Sequence, residues 1–311
     1  MNEILRAIFY ILIFPGLIFT AIMGLFFCWM DRKVTARIQS RRGPPWYQCY
    51  ADIGKLMIKK MILPKGSKKA GFLLAPLIGL AGITLVSTIV FRVNIAKDST
   101  FVGDLIVVLY LLILPSLALI IGGSSSRNPF SGIGASREMG IVLAYELPFI
   151  LAIFTCIIKT KSILFGNILL YQSEHGLMIY NLSCLVTFIV ALICLQAKLG
   201  YIPFDIPEAE SEIIGGTLAE YSGIALGVFK LTRAMMLFTL PIFLITIFLG
   251  GINFSALGII SLLGKYLGIL LLIIVVRATH ARFRIDQAVK FFWGPVTGIA
   301  IAGMILAILG I

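Results

Sequence analysis

Long apolar runs constrain the fold of this chain more than any other feature. A bilayer core takes about 20 helical residues, and eight runs of roughly that length or more fall near 4–30, 71–92, 103–122, 140–159, 178–198, 220–250, 256–276 and 291–310. Lipid offers no hydrogen-bond partners to an exposed backbone, and the alternating pattern of a membrane barrel is absent. The runs therefore predict an all-α integral membrane protein with about eight transmembrane helices.

The composition excludes a soluble protein, because 59% of the 311 residues are hydrophobic and only 13% are charged. No polar linker divides the chain, so we expect one membrane domain over residues 1–311. The first run lacks a basic leading segment and a small-residue cleavage site, which favours a retained helix. The sixth run is too long for one straight span. Its first part, around Gly215 to Lys230, carries charges and is predicted to line something polar.

Basic residues predict the orientation in the membrane. The net charge of +12 is concentrated in segments that would lie on one side of the bilayer, at about 31–69, 123–137, 199–219 and 277–290. The positive-inside rule places these segments in the cytoplasm and both termini outside. Attraction to anionic headgroups fits the same charge. Nucleic-acid binding is not expected, because no soluble domain displays the charge.

The residues that bind metals or cofactors form no recognisable pattern. The five cysteines are scattered without a CxxC pair, and His175 and His280 are far apart. Phosphate-binding, dinucleotide-binding and nucleophile-elbow motifs are absent as well. We expect no catalytic residue, no metal and no cofactor in this chain.

Acidic residues are few, and many lie within or beside apolar segments. Carboxylates that are desolvated and repel one another have raised, coupled pKa values and can relay protons. The alternative is a set of structural ion pairs, namely Glu138 with Arg137 or Arg127, and Glu220 with Lys230 or Arg233. The candidate ion-coupling residues are Glu138, Glu146, Asp205, Glu208, Glu210, Glu212, Glu220, Lys230 and Arg233.

Two segments are predicted to depart from ordinary spans. Pro203 and Pro207 indicate a bent acidic loop with short helical turns. The stretch Trp46 to Met61 begins with aromatic residues and carries lysines on one side of a helix. That pattern favours an interfacial helix, or a contact for a soluble partner.

Four motifs resemble one family over essentially the whole chain. The family is the membrane subunit of respiratory complex I that joins its peripheral redox arm to its pumping arm, together with the counterparts in membrane-bound hydrogenases. The motifs are Asp31-Arg-Lys-Val-Thr-Ala-Arg-Ile-Gln-Ser-Arg-Arg-Gly-Pro44, Ala51-Asp-Ile-Gly-Lys-Leu56, Pro203-Phe-Asp-Ile-Pro-Glu-Ala-Glu-Ser-Glu212 with Glu220-Tyr221, and Arg282-Phe-Arg-Ile-Asp-Gln287.

Departures from the family pattern indicate a branch. Asp31 stands where the family usually has glutamate, and only Pro45 to Tyr50 separates the first two motifs, where quinone-reducing members have a longer stretch. The segments Ala135 to Met139 and Leu143 to Pro148 are more similar to the hydrogenase and formate hydrogenlyase branch. The resemblance therefore favours a ferredoxin-linked, membrane-bound hydrogenase over a quinone-reducing complex.

The resemblance implies a coupling subunit that forms no bonds to substrate. The acidic loop would face the redox arm, and the membrane carboxylates would link redox events there to proton or sodium movement. A nickel–iron centre and iron–sulfur clusters would belong to partner subunits. Expected partners are hydrogenase large and small subunits, an iron–sulfur subunit, antiporter-like membrane subunits and, through the complex, ferredoxin.

The resemblance also implies a network of charged loop residues to which the redox arm docks. The network residues are Asp31, Arg32, Arg37, Arg41, Arg282, Arg284 and Asp286.

The resemblance favours the cytoplasmic membrane of a prokaryote as the location. A quinone-site subunit of complex I, a stand-alone ion transporter and a passive membrane anchor remain alternatives.

Overall fold

The computed structural model describes residues 3–97, 99–208 and 210–310. Every regular element in those ranges is helical. The α-helices are α1 (Glu3–Leu12), α2 (Leu17–Ile38), α3 (Gln48–Ile58), α4 (Lys69–Ile95), α5 (Asp104–Leu111), α6 (Leu114–Ser125), α7 (Pro129–Thr160), α8 (Phe165–His175), α9 (Leu182–Lys198), α10 (Glu210–Ile213), α11 (Gly223–Phe248), α12 (Ala256–Thr279), α13 (Ile285–Phe291) and α14 (Thr297–Ile308).

Seven helical segments are long and apolar enough to cross a membrane, which confirms the predicted class of multi-pass helical membrane protein. The shorter apolar helix α9 has 17 residues and is about 26 Å long, against a hydrocarbon core of about 30 Å. The prediction of eight spans therefore depends on α9. The seven segments are Leu5–Ile38, Lys69–Ile95, Asp104–Ser125, Pro129–Thr160, Gly223–Phe248, Ala256–Thr279 and Ile285–Ile308.

Parts of the segments predicted as loops are helical, and two of them extend long helices. Helix α2 continues to Ile38, so most of the first basic motif lies on its last turns. Helix α7 begins at Pro129, where Asn128 caps it by accepting a hydrogen bond from the Phe130 amide. Positive charge stabilises a helix C-terminus, and an Asn cap followed by proline favours a helix start. The apolar runs therefore predicted α2 and α7 to be shorter than they are.

Helix α11 forms the centre of the bundle. Every residue from Ala234 to Phe248 is buried, and the helix packs against α2, α4 and α3. Its 26 residues form one continuous helix from Gly223, so the predicted sixth run contains a single span preceded by a non-helical segment. Because α11 is central, its Lys230 and Arg233 project among the loops that surround its first turns.

The polar segments of the chain meet at one end of the bundle, here named the loop end. The Phe283 amide donates to the Pro203 carbonyl at 2.9 Å, and the Lys68 amide to the Ser125 carbonyl at 3.0 Å. The Ser131 hydroxyl donates to the Gly216 carbonyl at 3.0 Å. These contacts join segments that are far apart in the sequence, so tertiary packing assembles the loop end.

Candidate functional site

Ion pairs hold the segments of the loop end together. Charges beside hydrocarbon need partners or water, and the described residues contain six such pairs, each between two different helices or loops. The pairs are Arg32–Asp52, Arg137–Glu212, Lys198–Glu146, Arg233–Glu208, Arg277–Asp31 and Arg282–Asp205.

Arg233 fixes the bent loop, residues 199–208, to the central helix. Its guanidinium donates to the Glu208 carboxylate, to the Gly200 carbonyl at 2.5 Å and to the Leu199 carbonyl at 3.2 Å. It also lies 5.3 Å from the centre of the Tyr201 ring. One half-buried cation thus neutralises an acid of the loop and satisfies two carbonyls that no helix could satisfy.

Asp205 connects the bent loop to the loop before α13. Its carboxylate accepts from Arg282 at 3.0 Å. Burial raises the pKa of Asp205 and the nearby Glu208 charge adds to this effect, although Arg233 and Arg282 oppose it. Asp205 is therefore a carboxylate whose charge depends on how its neighbours are placed, as a coupling group requires.

A small cavity of about 290 Å³ extends from the bent loop towards α7. Glu138 lines it and is largely buried, yet it forms no ion pair with any residue that the structure describes. Ser116 lies against its carboxyl group and shares a 3.2 Å hydrogen bond with the Tyr145 hydroxyl. Glu138 is thus a buried acid that faces an internal space and contacts hydroxyl groups.

Lys198 forms an ion pair deeper in the bundle. Its ammonium lies 2.6 Å from a Glu146 carboxylate oxygen, and the two side chains are only 1% and 13% exposed. The rings of Tyr145 and Phe149 lie 5.1 Å and 4.8 Å from the same nitrogen. Because Lys198 also lines the small cavity, it joins Glu146 to the space that Glu138 faces.

Acidic and basic groups therefore alternate from the loop end to the interior of α7. The path runs through the acids of the bent loop, then Arg233, Glu138, Lys198 and Glu146. Mutually dependent charges at low dielectric respond strongly to a change at one end. Such a path can move a proton or transmit a change in electric field.

The ion pairs predicted from the sequence are not those that form. Arg137 binds Glu212 at 2.6 Å and not Glu138, because consecutive helix residues point about 100° apart and Arg137 faces α10. The Glu220 carboxylate accepts a hydrogen bond from the Asn128 side-chain amide at 2.5 Å and binds neither Lys230 nor Arg233. Lys230 lines the cavities without an ion pair to the described residues.

Other predicted residues are not among the ion pairs that the structure describes. The Glu210 side chain lies outside the described part of the molecule, as does Ala209. Arg37, Arg41, Arg284 and Asp286 are exposed and form no ion pair within the described ranges, so only Arg282 of the last motif joins the charge network. The role of these exposed residues in docking the redox arm stays a prediction.

A large cavity of about 810 Å³ lies between α2, α3, α11 and the bent loop. Asp31 lines it and accepts from Arg277 at 2.8 Å, while its other carboxylate oxygen is buried without a partner among the described residues. Asp52 lines it too, bound to Arg32 at 2.9 Å and to Gln48 at 2.9 Å. These hydrogen bonds hold the pKa of Asp52 below its usual value, although burial raises it.

Sequence reasoning missed the role of Lys198. It ends the apolar helix α9, as topology-setting lysines often do, and nothing in the sequence distinguishes it from them. Its partner Glu146 is 52 positions away. Only the packing of α7 on α9 shows that this lysine is buried.

A family model described as NADH dehydrogenase matches residues 10–308. The chain belongs to this family. The match confirms the resemblance drawn from the four motifs, and it makes the chain a membrane subunit of a complex I-related oxidoreductase complex.

Relatives in the NADH dehydrogenase family cover nearly the whole chain. An NADH-quinone oxidoreductase subunit of Dehalococcoides mccartyi strain 195 is 33% identical over 96% of this chain and 84% of its own length. The corresponding subunit of Phocaeicola vulgatus is 30% identical over 93% of this chain and 87% of its own length. A protein in the structure of the membrane-bound sulfane sulfur reductase, an archaeal respiratory membrane complex, is 34% identical with a TM-score of 0.86. That match covers 98% of this chain and 99% of the other.

Proposed function

We propose that this chain couples electron transfer in a soluble arm to proton or sodium movement across the membrane, as a subunit of a ferredoxin-linked complex of the hydrogenase type. The observation that carries the proposal is the path of alternating charge that leads from half-buried Arg233 to the largely buried side chains of Glu138, Lys198 and Glu146. A path of this kind is costly in a membrane protein that only anchors its partners.

The choice of branch rests on the spacing of the first two motifs and on the similarity to a solved structure. Only Pro45 to Tyr50 separates those motifs. The chain is 34% identical to its counterpart in the sulfane sulfur reductase, with a TM-score of 0.86. Both observations support a hydrogenase-like or sulfur-reducing complex, with nickel–iron and iron–sulfur centres in partner subunits.

Exposed groups at the loop end supply a docking surface for the soluble arm. Arg37, Arg41, Arg284 and Asp286 have no ion pair in the described ranges and face away from the bundle. Hydrogenase large and small subunits and an iron–sulfur subunit would dock there, at the cytoplasmic face of a prokaryotic membrane. Antiporter-like subunits would pack laterally in the bilayer.

Glu138 is the residue on which to test coupling. In the intact complex reconstituted in liposomes, Glu138→Gln keeps the side-chain shape and removes the titratable group. We expect most of the ion movement driven by reduced ferredoxin to disappear, while subunit composition stays unchanged. Glu174→Gln is the matched control, because Glu174 is exposed on α8, outside both cavities.

Ion movement at the full rate in Glu138→Gln would show that the chain is a passive anchor. Ion exchange by the purified chain without its partners would instead show a stand-alone transporter. Both results contradict the proposed coupling role.

The large cavity favours a second candidate, a quinone-site subunit of complex I. Its 810 Å³ and its mixture of apolar and charged walls suit a quinone headgroup. Metal analysis of the purified complex separates the two candidates. Nickel in the complex and no reduction of a short-chain quinone support the hydrogenase type, and the reverse result supports the quinone site.

A further inference from the structure

Two cysteine thiols meet where α2 passes α3. Cys28 lies on α2 and Cys49 on α3, and their side chains pack in one small cluster and interact with each other. Both cysteines line the large cavity, although Cys49 is only 2% exposed. The pair is therefore packed against protein on one side and open to an internal space on the other.

The surroundings of this pair favour a reactive thiol. Arg32 lies one helical turn beyond Cys28 and Arg233 lies across the cavity, and both interact electrostatically with the Cys28 sulfur. Asp31 and Asp52 also line the cavity, but Arg277 and Arg32 bind their carboxylates. Nearby cations stabilise a thiolate, which is the nucleophilic form of cysteine.

The chain contains a second pair of neighbouring thiols, which differs from the first because it has no access to a cavity. The side chains of Cys156 on α7 and Cys184 on α9 also interact with each other, within the hydrophobic core. Both are 0% exposed and belong to the hydrophobic core, and neither lines the small or the large cavity. Two pairs with the same contact and different access allow the effect of the cavity to be measured within one molecule.

We propose that Cys28 and Cys49 are a modification site, a dithiol that a low-molecular-weight disulfide entering the large cavity converts reversibly to a disulfide. The Cys28 thiolate attacks one sulfur of the reagent, and the other sulfur leaves as a thiolate that takes up a proton. Cys49 then loses its proton and attacks the Cys28 sulfur, which releases the second thiol. Two protein thiols are oxidised and one disulfide is reduced to two thiols.

The bond would join α3 covalently to α2 at the wall of the large cavity. Among the described residues, the polar links between these helices are the Arg32–Asp52 ion pair and the hydrogen bond from the Tyr50 hydroxyl to the Ile22 carbonyl at 2.9 Å. Arg32 and Asp52 are partly exposed, so that link alone is weak. A disulfide would fix the position of α3 and with it the width of the cavity.

The test uses the intact complex in detergent, exposed to hydroxyethyl disulfide and then denatured in N-ethylmaleimide. Peptide mass spectrometry should find a Cys28–Cys49 linked peptide that dithiothreitol abolishes. Formation should be on the order of tenfold or more faster than any loss of free thiol at Cys156 and Cys184, because thiols sealed in a core are inert. In Cys28→Ser the linked peptide should be absent.

Two results would overturn the inference. One is that Cys28 and Cys49 stay free, or accumulate only as separate mixed disulfides with the reagent. The other is that Cys156–Cys184 oxidises at the same rate, which would mean that the cavity gives no access. Neither readout depends on the redox activity of the complex.

Discussion

At the residue scale, the Lys198–Glu146 pair shows what a buried charge demands of its surroundings. The Lys198 side chain is almost completely buried and its ammonium lies against two aromatic rings, so bulk water barely reaches it. Removing one partner of such a pair strands the other charge, whereas removing both is far less costly. The Arg32–Asp52 pair differs, because its side chains are 45% and 35% exposed.

Lys198→Met should therefore destabilise the protein strongly. We expect a loss of about 3–5 kcal/mol in the free energy of unfolding, because Glu146 is left buried without its counter-ion. The measurement is unfolding in detergent, followed by the reactivity of the core cysteines with a thiol-sensitive dye. Arg32→Met, the matched control, should cost less than about 1 kcal/mol.

The double variant Lys198→Met with Glu146→Gln should recover most of the lost stability. If it is as unstable as Lys198→Met alone, the cost lies in the packing of the lysine stem and not in the stranded charge.

At the element scale, α7 and the 3₁₀ turn Gly216–Leu218 before α11 depend on close backbone approach. A Cβ atom on Gly134 would lie 2.7 Å from the Thr217 amide nitrogen and 2.9 Å from the Gly216 carbonyl carbon. Backbone atoms cannot yield as flexible side chains do. The segment around Gly216 follows the acidic loop. Its packing against α7 therefore positions Glu212 near Arg137 and Glu220 near Asn128.

Gly134→Ala should displace this segment. Overpacking of this kind costs about 1–3 kcal/mol, and we expect ion movement by the reconstituted complex to fall together with stability. The control lies two residues away on the same helix, because a Cβ on Gly132 would meet nothing within 4 Å. Equal effects of Gly132→Ala and Gly134→Ala would show that close approach is not the cause.

At the scale of the whole molecule, the loop end gathers segments that are separated along the chain. The opposite end is marked by α1 and the last turn of α4, where Arg92 lies 5.1 Å from the Tyr10 ring. Basic segments resist translocation across the membrane. The distribution of charge therefore predicts which end faces the cytoplasm.

Labelling from each side of the membrane checks this orientation. In Lys65→Cys an impermeant maleimide should modify position 65 only in inverted vesicles, because this exposed loop belongs to the basic end. In Lys97→Cys it should modify position 97 only in right-side-out vesicles. Peptide mass spectrometry at the two positions separates them from the native cysteines. The reverse pattern would contradict the predicted cytoplasmic face.

Local sequence accounted for much of the fold. Apolar runs predicted helices because their length alone meets the requirement of the bilayer, and Pro203 with Pro207 predicted the bend of the acidic loop. The positions of the helix ends were harder to predict from the sequence. The first basic motif continues α2 because positive charges stabilise a helix C-terminus. Hydropathy does not reveal this stabilisation, so it does not predict where the helix ends.

What the sequence determined by itself is the membrane class, the family and the set of acids that interrupt the apolar runs. Tertiary structure alone decided which acid meets which base, since the partners of Asp31 and Glu146 lie 246 and 52 positions away. The physical reason is that hydrophobicity acts through local composition, whereas burial of a charge depends on how distant helices pack. Glu138 became a buried acid without an ion pair among the described residues, and Lys198 its neighbour in the small cavity, only when α7, α9 and α11 came together.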